Sequence, residues 1–188
     1  MKNIFLTSDT HFTHQGVCKF TNEDGSKLRP WDNVEEMDEY MIQAWNEIVK
    51  PTDKVYHLGD VVINRKALPL LKRLNGDKVL IRGNHDIFRD SEYREYFREL
   101  RAYHVLNGMI FSHIPIHTDS LGRFGVNIHG HTHSNRVKAE IFGEYKIDVR
   151  YHCVCVEQTD FKPISIDEVI ERVELEGGSV NFTTNGNR

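Results

Sequence analysis

The chain has 188 residues, of which 39% are hydrophobic and 28% charged, the range of a soluble globular protein long enough to bury a full core. No apolar run approaches the roughly 18 residues needed to cross a membrane, so no membrane partner is expected. The balance of 24 basic against 28 acidic residues, net −4, argues against a basic face for duplex nucleic acid. It leaves room for a nucleotide or a short oligonucleotide beside bound cations, which would offset the negative charge locally.

The first nine residues have a basic start and a short apolar run but lack the length and cleavage site of a signal peptide. They read as a first strand, and a cytoplasmic location is the default expectation. Residues 4–6 form that strand, opening onto Thr7, Ser8 and Asp9. Residues 14–32 show no period and carry Gly16, Gly25 and Pro30, so they read as a long surface loop of the kind that usually has a function. Residues 33–49 are the clearest helix. Asn33 and Glu36 stand at capping-box spacing, and Val34, Met37, Met41, Ile42, Trp45, Ile48 and Val49 share one face.

A second strand over 55–58 ends at Gly59 and Asp60, a short helix follows over 66–74, and a third strand over 78–81 ends at Gly83, Asn84, His85 and Asp86. A charged helix is expected from about 91 to 100. Alternating strand and helix indicate an α/β fold with right-handed crossovers. The second half reads differently, with strand candidates at 103–106, 108–113, 126–129, 136–142, 145–149 and 151–156 and a hairpin at Gly143 and Glu144. A last helix covers 167–175, and a polar tail from Gly177 is expected to be frayed or to form an edge strand. No linker is long enough to separate a second domain, so residues 1–188 read as one.

The three cysteines, Cys18, Cys153 and Cys155, make no disulfide framework. Cys153 and Cys155 share one face of a strand-like run, without the second pair that a zinc ribbon needs, and are expected to be packing residues. Histidine is the unusual count, at 11. His57, His104, His117, His129 and His152 suit ordinary hydrogen-bonded roles. The others sit beside Asp, Asn or Gly where apolar runs end.

All of those but His14 belong to five short motifs in one order: Asp9 with His11, Gly59 with Asp60, Gly83 through Asp86, His113, and Gly130 with His131 and His133. Three of them follow a strand ending in small residues, which is where open α/β sheets place ligand sites. The donors are oxygens and imidazoles without thiolate. They favour manganese, iron, zinc, nickel or cobalt over a structural zinc site, with magnesium disfavoured at imidazole-rich positions.

The ordered set resembles the calcineurin-like metallophosphoesterase superfamily over about residues 4–133. Thr10, His11 and Phe12, Trp45 and Asn46, and Tyr56 through Asp60 resemble its small single-domain bacterial and phage phosphoesterases. The resemblance implies a two-layer β-sandwich core flanked by helices. It also implies a pair of divalent metals at the strand ends, manganese being the first expectation. Asp9, His11 and His133 would hold one metal, Asp60 would bridge, and Asn84, His113 and His131 would complete the second. Such a pair activates water against a phosphate ester. His85 is the candidate to protonate the leaving oxygen, and Asp86 either orients His85 or is a turn residue. The expected substrate is a small, nucleotide-like phosphodiester or phosphomonoester, with the diester favoured. A small nuclease and a non-catalytic scaffold of the same fold are the alternatives.

The stretch from Gly59 to Arg65 lacks the Asp-Arg pair of the phosphoprotein phosphatases, and the Gly83 motif ends in Asp86 where theirs has Glu, so a protein serine/threonine phosphatase is not expected. Specificity is expected from the 14–32 loop and nearby arginines: His14, Phe20, Arg29, Trp31, Arg82 and Arg89 as phosphate or base contacts. The alternative for each is a solvated loop or a mixed-charge helix.

Overall fold

The computed structural model describes residues 2–180. One sheet is built from β1 (Ile4–Thr7), β2 (Lys54–His57), β3 (Asp77–Ile81) and β4 (Glu99–Arg101), all parallel, with β11 (Ile164–Ser165) antiparallel at the other edge. Its order is β11-β1-β2-β3-β4. The second sheet, β10-β7-β6-β5, combines β5 (His104–Leu106), β6 (Met109–Ser112), β7 (Val126–His129) and β10 (Tyr151–Cys153). A separate hairpin joins β8 (Lys138–Ile141) to β9 (Glu144–Ile147).

Alternation along the parallel strands explains the layering. Phe5, Val55 and Leu80 point to one face and pack on Met37, Met41 and Trp45 of α1 (Val34–Ile48). Their neighbours Leu6, Tyr56, Val79 and Ile81 point to the other face, where they meet Met109, Phe111, Val126 and Ile128 of the second sheet. The second sheet's outer face is covered more thinly, by Leu121 in a short 3-10 turn packed with Ile110 and Tyr151. The chain is thus an α/β fold with two packed sheets flanked by helices, as its resemblance implies. α3 (Ile166–Leu175), capped by Ser165 accepting from the Glu168 N–H, adds Ile166, Val169 and Val173 to the inter-sheet core.

Three expected elements differ. The helix over 91–100 is a single turn, α2 (Asp90–Tyr93), and residues 99–101 are strand β4. Tyr93 and Phe97, four apart and buried, carry a helical signal, but Glu99, Leu100 and Arg101 pair with Val79, Leu80 and Ile81, and that pairing overrides it. The helix over 66–74 is a 3-10 helix, Arg65–Arg73, interrupted by Pro69, which has no N–H to donate. The strand over 151–156 stops at Cys153 and turns into a 3-10 helix, Val156–Gln158. The hairpin turn falls on Phe142 and Gly143 rather than Gly143 and Glu144. Both have positive φ, 54° and 82°, as a two-residue turn matched to strand twist requires. Of the expected tail, residues 181–188 lie outside the described residues, and Val180 packs into the inter-sheet core.

Candidate metal centre

The carboxyl ends of β1, β2, β3, β6, β7 and β10 converge on one rim. A backbone bridge between Ser8 and Cys155 ties the first sheet to the second there. The turns that follow these strands are sharp. Asp9, His11, Asp60, His131 and His133 all have positive φ, between 48° and 68°. Such backbone costs of order 1–3 kcal/mol per residue and persists where the surroundings over-determine it. Two glycines let the turns close. A Cβ on Gly130 would fall onto Ser8 Oγ and within 2.5 Å of Asp9 Oδ2, and one on Gly83 would overlap Asp60 Oδ1.

The turns gather two sets of donors, Asp9 with His11 and His133, and Asp60 with His113 and His131, each set within 4.8 Å of itself. In the first, Asp9 Oδ1 lies 3.6 Å from His11 Nε2 and 3.8 Å from His133 Nε2. In the second, His113 Nε2 is 3.4 Å from Asp60 Oδ2 and 2.9 Å from Asn84 Oδ1. The same Asp60 Oδ2 is 3.8 Å from His11 Nε2, so one carboxylate oxygen faces both sets.

These residues fit a cation. Asp9 Oδ1 is buried without any hydrogen-bond partner, while Oδ2 accepts from Ser8 Oγ at 2.5 Å, the His131 N–H at 2.8 Å and Cys155 Sγ at 3.1 Å. One oxygen is saturated and its twin is bare beside two imidazoles, and a buried bare carboxylate oxygen is costly unless a cation meets it. Burial pushes the Asp9 carboxyl up, but the imidazoles of His11, His113 and His133 facing it hold it far below the usual carboxylate range. Asp60 is also lowered: burial opposes ionisation, and the hydrogen bond and charge of His113 outweigh it. Both carboxylates are therefore ionised at neutral pH.

The imidazoles are aimed from behind. His113 Nδ1 lies 2.7 Å from the Leu58 carbonyl, and His133 Nδ1 lies 2.9 Å from Glu157 Oε1. Each contact leaves Nε2 for the centre, the usual way a ligating histidine's tautomer is set. Glu157 also accepts from Arg29, at 2.8 Å from Nε and 2.7 Å from Nη2. The same guanidinium donates to the carbonyls of Asp9 at 2.6 Å and Thr10 at 2.9 Å.

Five of the expected site residues are engaged elsewhere or stand apart from the donors. Arg29 is completely buried and its donors are spent on Glu157 and the Asp9–Thr10 backbone, so it is not a substrate contact. Of its two expected roles, Asp86 has the contacts of the turn residue. Its carboxylate accepts from the backbone N–H groups of Asp60, Val61 and Gly83 at 2.8–3.0 Å and so clamps two of the turns together. Arg82 is likewise engaged, closing its own loop onto Asp90 and the carbonyls of Asp86 and Phe88. Trp31 packs edge-on to Phe161 and against Tyr40. Arg89 is exposed in a separate surface hollow with Arg65 and Glu92. His14 stays close, its ring 5.7 Å from that of His11. The exposed His85 ring is also 5.7 Å from His11, and its backbone N–H donates to Asp60 Oδ1 at 2.9 Å.

Glu157 was missed, although a signal existed: the apolar run 151–156 ends on it, as the other runs end on donors. Cys155 does more than pack, since its thiol donates to Asp9.

Residues 2–150 match the family model described as calcineurin-like phosphoesterase. The chain belongs to that family, whose members are hydrolases of phosphoric esters that use divalent metals. It is 38% identical over 178 residues to an uncharacterized protein of Methanocaldococcus jannaschii, covering 93% of each chain. Over 91 residues it is 34% identical to the gene 66 protein of Mycobacterium phage L5, a match that spans 41% of that protein. Among solved structures, a protein of unknown function from Aquifex aeolicus superposes with a TM-score of 0.66 at 28% identity, over 92% of this chain and all of that one. Among the described residues no helix is long and apolar enough to cross a membrane.

Proposed function

We propose that the protein hydrolyses a phosphodiester of nucleotide-like size in the cytoplasm, using two divalent cations with manganese as the first choice. The observation that carries this reading is Asp60 Oδ2, placed 3.8 Å from His11 Nε2 and 3.4 Å from His113 Nε2, where a bridging ligand belongs. Asp9, His11, His133 and Asp60 would hold the first ion, and Asp60, Asn84, His113 and His131 the second. When bound, the pair acidifies the attacking water and neutralises the phosphate oxygens.

The chain's own residues supply the rest. The strained turns hold the donors before any ion arrives, so little reorganisation remains for binding. A water oxygen bonds to phosphorus while the bond to the leaving oxygen breaks, and His85 delivers the proton that the leaving oxygen needs. The Asp60 carboxylate takes the His85 backbone N–H, which ties the acid's position to the bridging group.

The test compares bis(p-nitrophenyl) phosphate with p-nitrophenyl phosphate on metal-stripped protein refilled with manganese, beside His85→Ala. Faster diester turnover is expected. The variant should lose about 10²–10⁴-fold in turnover, the usual weight of a positioned acid, while holding the same metal. Faster monoester turnover would make the protein a phosphatase. Metal-loaded protein with no turnover of either ester would favour the scaffold.

A further inference from the structure

The centre opens onto a groove larger than a small ester needs. A hollow of about 440 Å³ begins at His131 and His133 and is walled by Phe20, Asn22, Leu28 and Asn135. Its two walls come from distant parts of the chain, the 14–32 loop and the turn after β7. They are tied by a hydrogen bond from Ser134 Oγ to Asn22 Oδ1 at 2.7 Å. A second hollow, of about 430 Å³, shares Glu23, Ser134 and Asn135 with the first and continues to Arg136, Lys138 and Ile147 at the foot of the β8–β9 hairpin. Each is on the scale of a site for a drug-sized ligand, about 300–1,000 Å³.

The groove's chemistry changes along its length. Next to the centre stands Phe20, an aromatic side chain left 48% exposed, with its ring 5.9 Å from that of His14 and edge-on to it. An exposed aromatic face beside a phosphate site suits a base, since every base has a π-face. Asn135 and Ser134 follow, offering an amide and a hydroxyl oxygen for a base edge, while the Asn22 amide is committed to Ser26, Lys27 and Ser134. Glu23 stands at the junction of the two hollows, where a phosphate would be repelled and a base amino group accepted. Beyond it are two cations. Arg136 is committed to Glu176, whereas Lys138 is exposed and takes part in no ion pair among the described residues.

Reading outward, the order is scissile phosphate, base, then a second anion. Building on the phosphodiesterase reading, we propose that the substrate is a short single-stranded oligonucleotide. Its nucleoside stacks on Phe20, and a further phosphate is held by Lys138. A net charge of −4 is consistent with a short strand held at one cation rather than with a long duplex.

The test uses the manganese-loaded full chain with the dinucleotide TpT, its 5′-phosphorylated form pTpT, and bis(p-nitrophenyl) phosphate. pTpT should be cleaved about tenfold more efficiently than TpT, through KM. Lys138→Ala should bring that ratio close to one, and Lys138→Glu should invert it. Phe20→Ala should cost TpT about tenfold in kcat/KM, within the range of one lost base–aromatic stack. If bis(p-nitrophenyl) phosphate is turned over but neither dinucleotide is, or if the ratio is unmoved in both Lys138 variants, the groove proposal is overturned and the phosphodiesterase stands. If no diester is turned over at all, the underlying reading falls and the groove with it.

Discussion

The two donor sets of the candidate metal centre, its two halves, are built to different standards. The Asp9 half has Asp9 and His11 buried and His133 half-buried, and it is backed in depth. His133 leans on Glu157, Glu157 on Arg29, and Arg29 on the carbonyls of Asp9 and Thr10, so the residues that support one another also hold the turn that carries the ligand. The Asp60 half has two buried members, Asp60 and His113, and two at the surface, Asn84 and His131. Its support is mostly backbone: the Leu58 carbonyl behind His113 and the N–H groups that Asp86 holds. One half is thus a preorganised cage and the other an open seat. Preorganisation lowers the cost of ordering on binding. The first half should therefore bind its ion tightly and the second should exchange readily with solvent and substrate.

Asp60 belongs to both halves, and its loss should have the largest effect. Asp60→Asn should remove several kcal/mol of transition-state stabilisation, about a thousandfold in kcat/KM, and leave about one manganese per chain by elemental analysis. A variant that kept both ions and full turnover would remove the basis for a shared carboxylate. Arg29→Met comes next. It strands the buried carboxylate of Glu157, whose side chain is 2% exposed, and breaking such a pair costs about 3–5 kcal/mol of stability. Asn84→Ala at the surface should cost under 1 kcal/mol by urea unfolding of the metal-free protein. Equal losses for the two would erase the distinction between cage and seat.

Glu157→Gln sharpens the contrast further. The amide keeps the size of the side chain but removes the charge that holds His133. It should weaken the tighter of two manganese sites about 10–100-fold in a chelator-competition titration, leaving the weaker site in place. Asn84→Ala should do the reverse. If Glu157→Gln weakened the looser site instead, the assignment of His133 to the Asp9 half would be wrong.

The donors of both halves are more legible in the sequence than the supports behind them. Asp9, His11, Asp60, Asn84, His113, His131 and His133 all fall where apolar runs end, and Asp60, Asn84 and His131 also follow a glycine, which is a local signal. The supports are not local. Arg29 reads as a surface arginine because it lies in a loop of no clear period, and only the fold shows that it reaches Glu157, 128 residues on. Asp86 adjoins His85 in sequence, which leaves open whether it orients that ring or serves a turn; only the fold shows that its partners are the N–H groups of Asp60 and Val61. The same limit explains the lost helix over 91–100, where pairing with β3 outweighed a helical pattern.

His57 joins the two halves, and its titration is the mildest probe of the contrast. Its ring contacts Thr10 Oγ1 at 3.1 Å on the Asp9 side and accepts from the Gly59 N–H at 3.2 Å on the Asp60 side. Burial pushes its pKa down to about 3, so the folded protein keeps it neutral while the unfolded chain protonates it near 6.5. The unfolded state then binds more protons between those values. The His57 contribution to stability is therefore complete above pH 6.5 and is lost as pH falls towards 3, by up to about 1.4 kcal/mol per pH unit. Bound cations would push the imidazole further in the same direction. His57→Gln stays neutral throughout, so its unfolding midpoint in urea should fall less steeply than that of the wild type from pH 6.5 to 5. Parallel slopes for the two proteins would mean that His57 accepts a proton in place, and that the seam between the halves is wetter than its burial indicates.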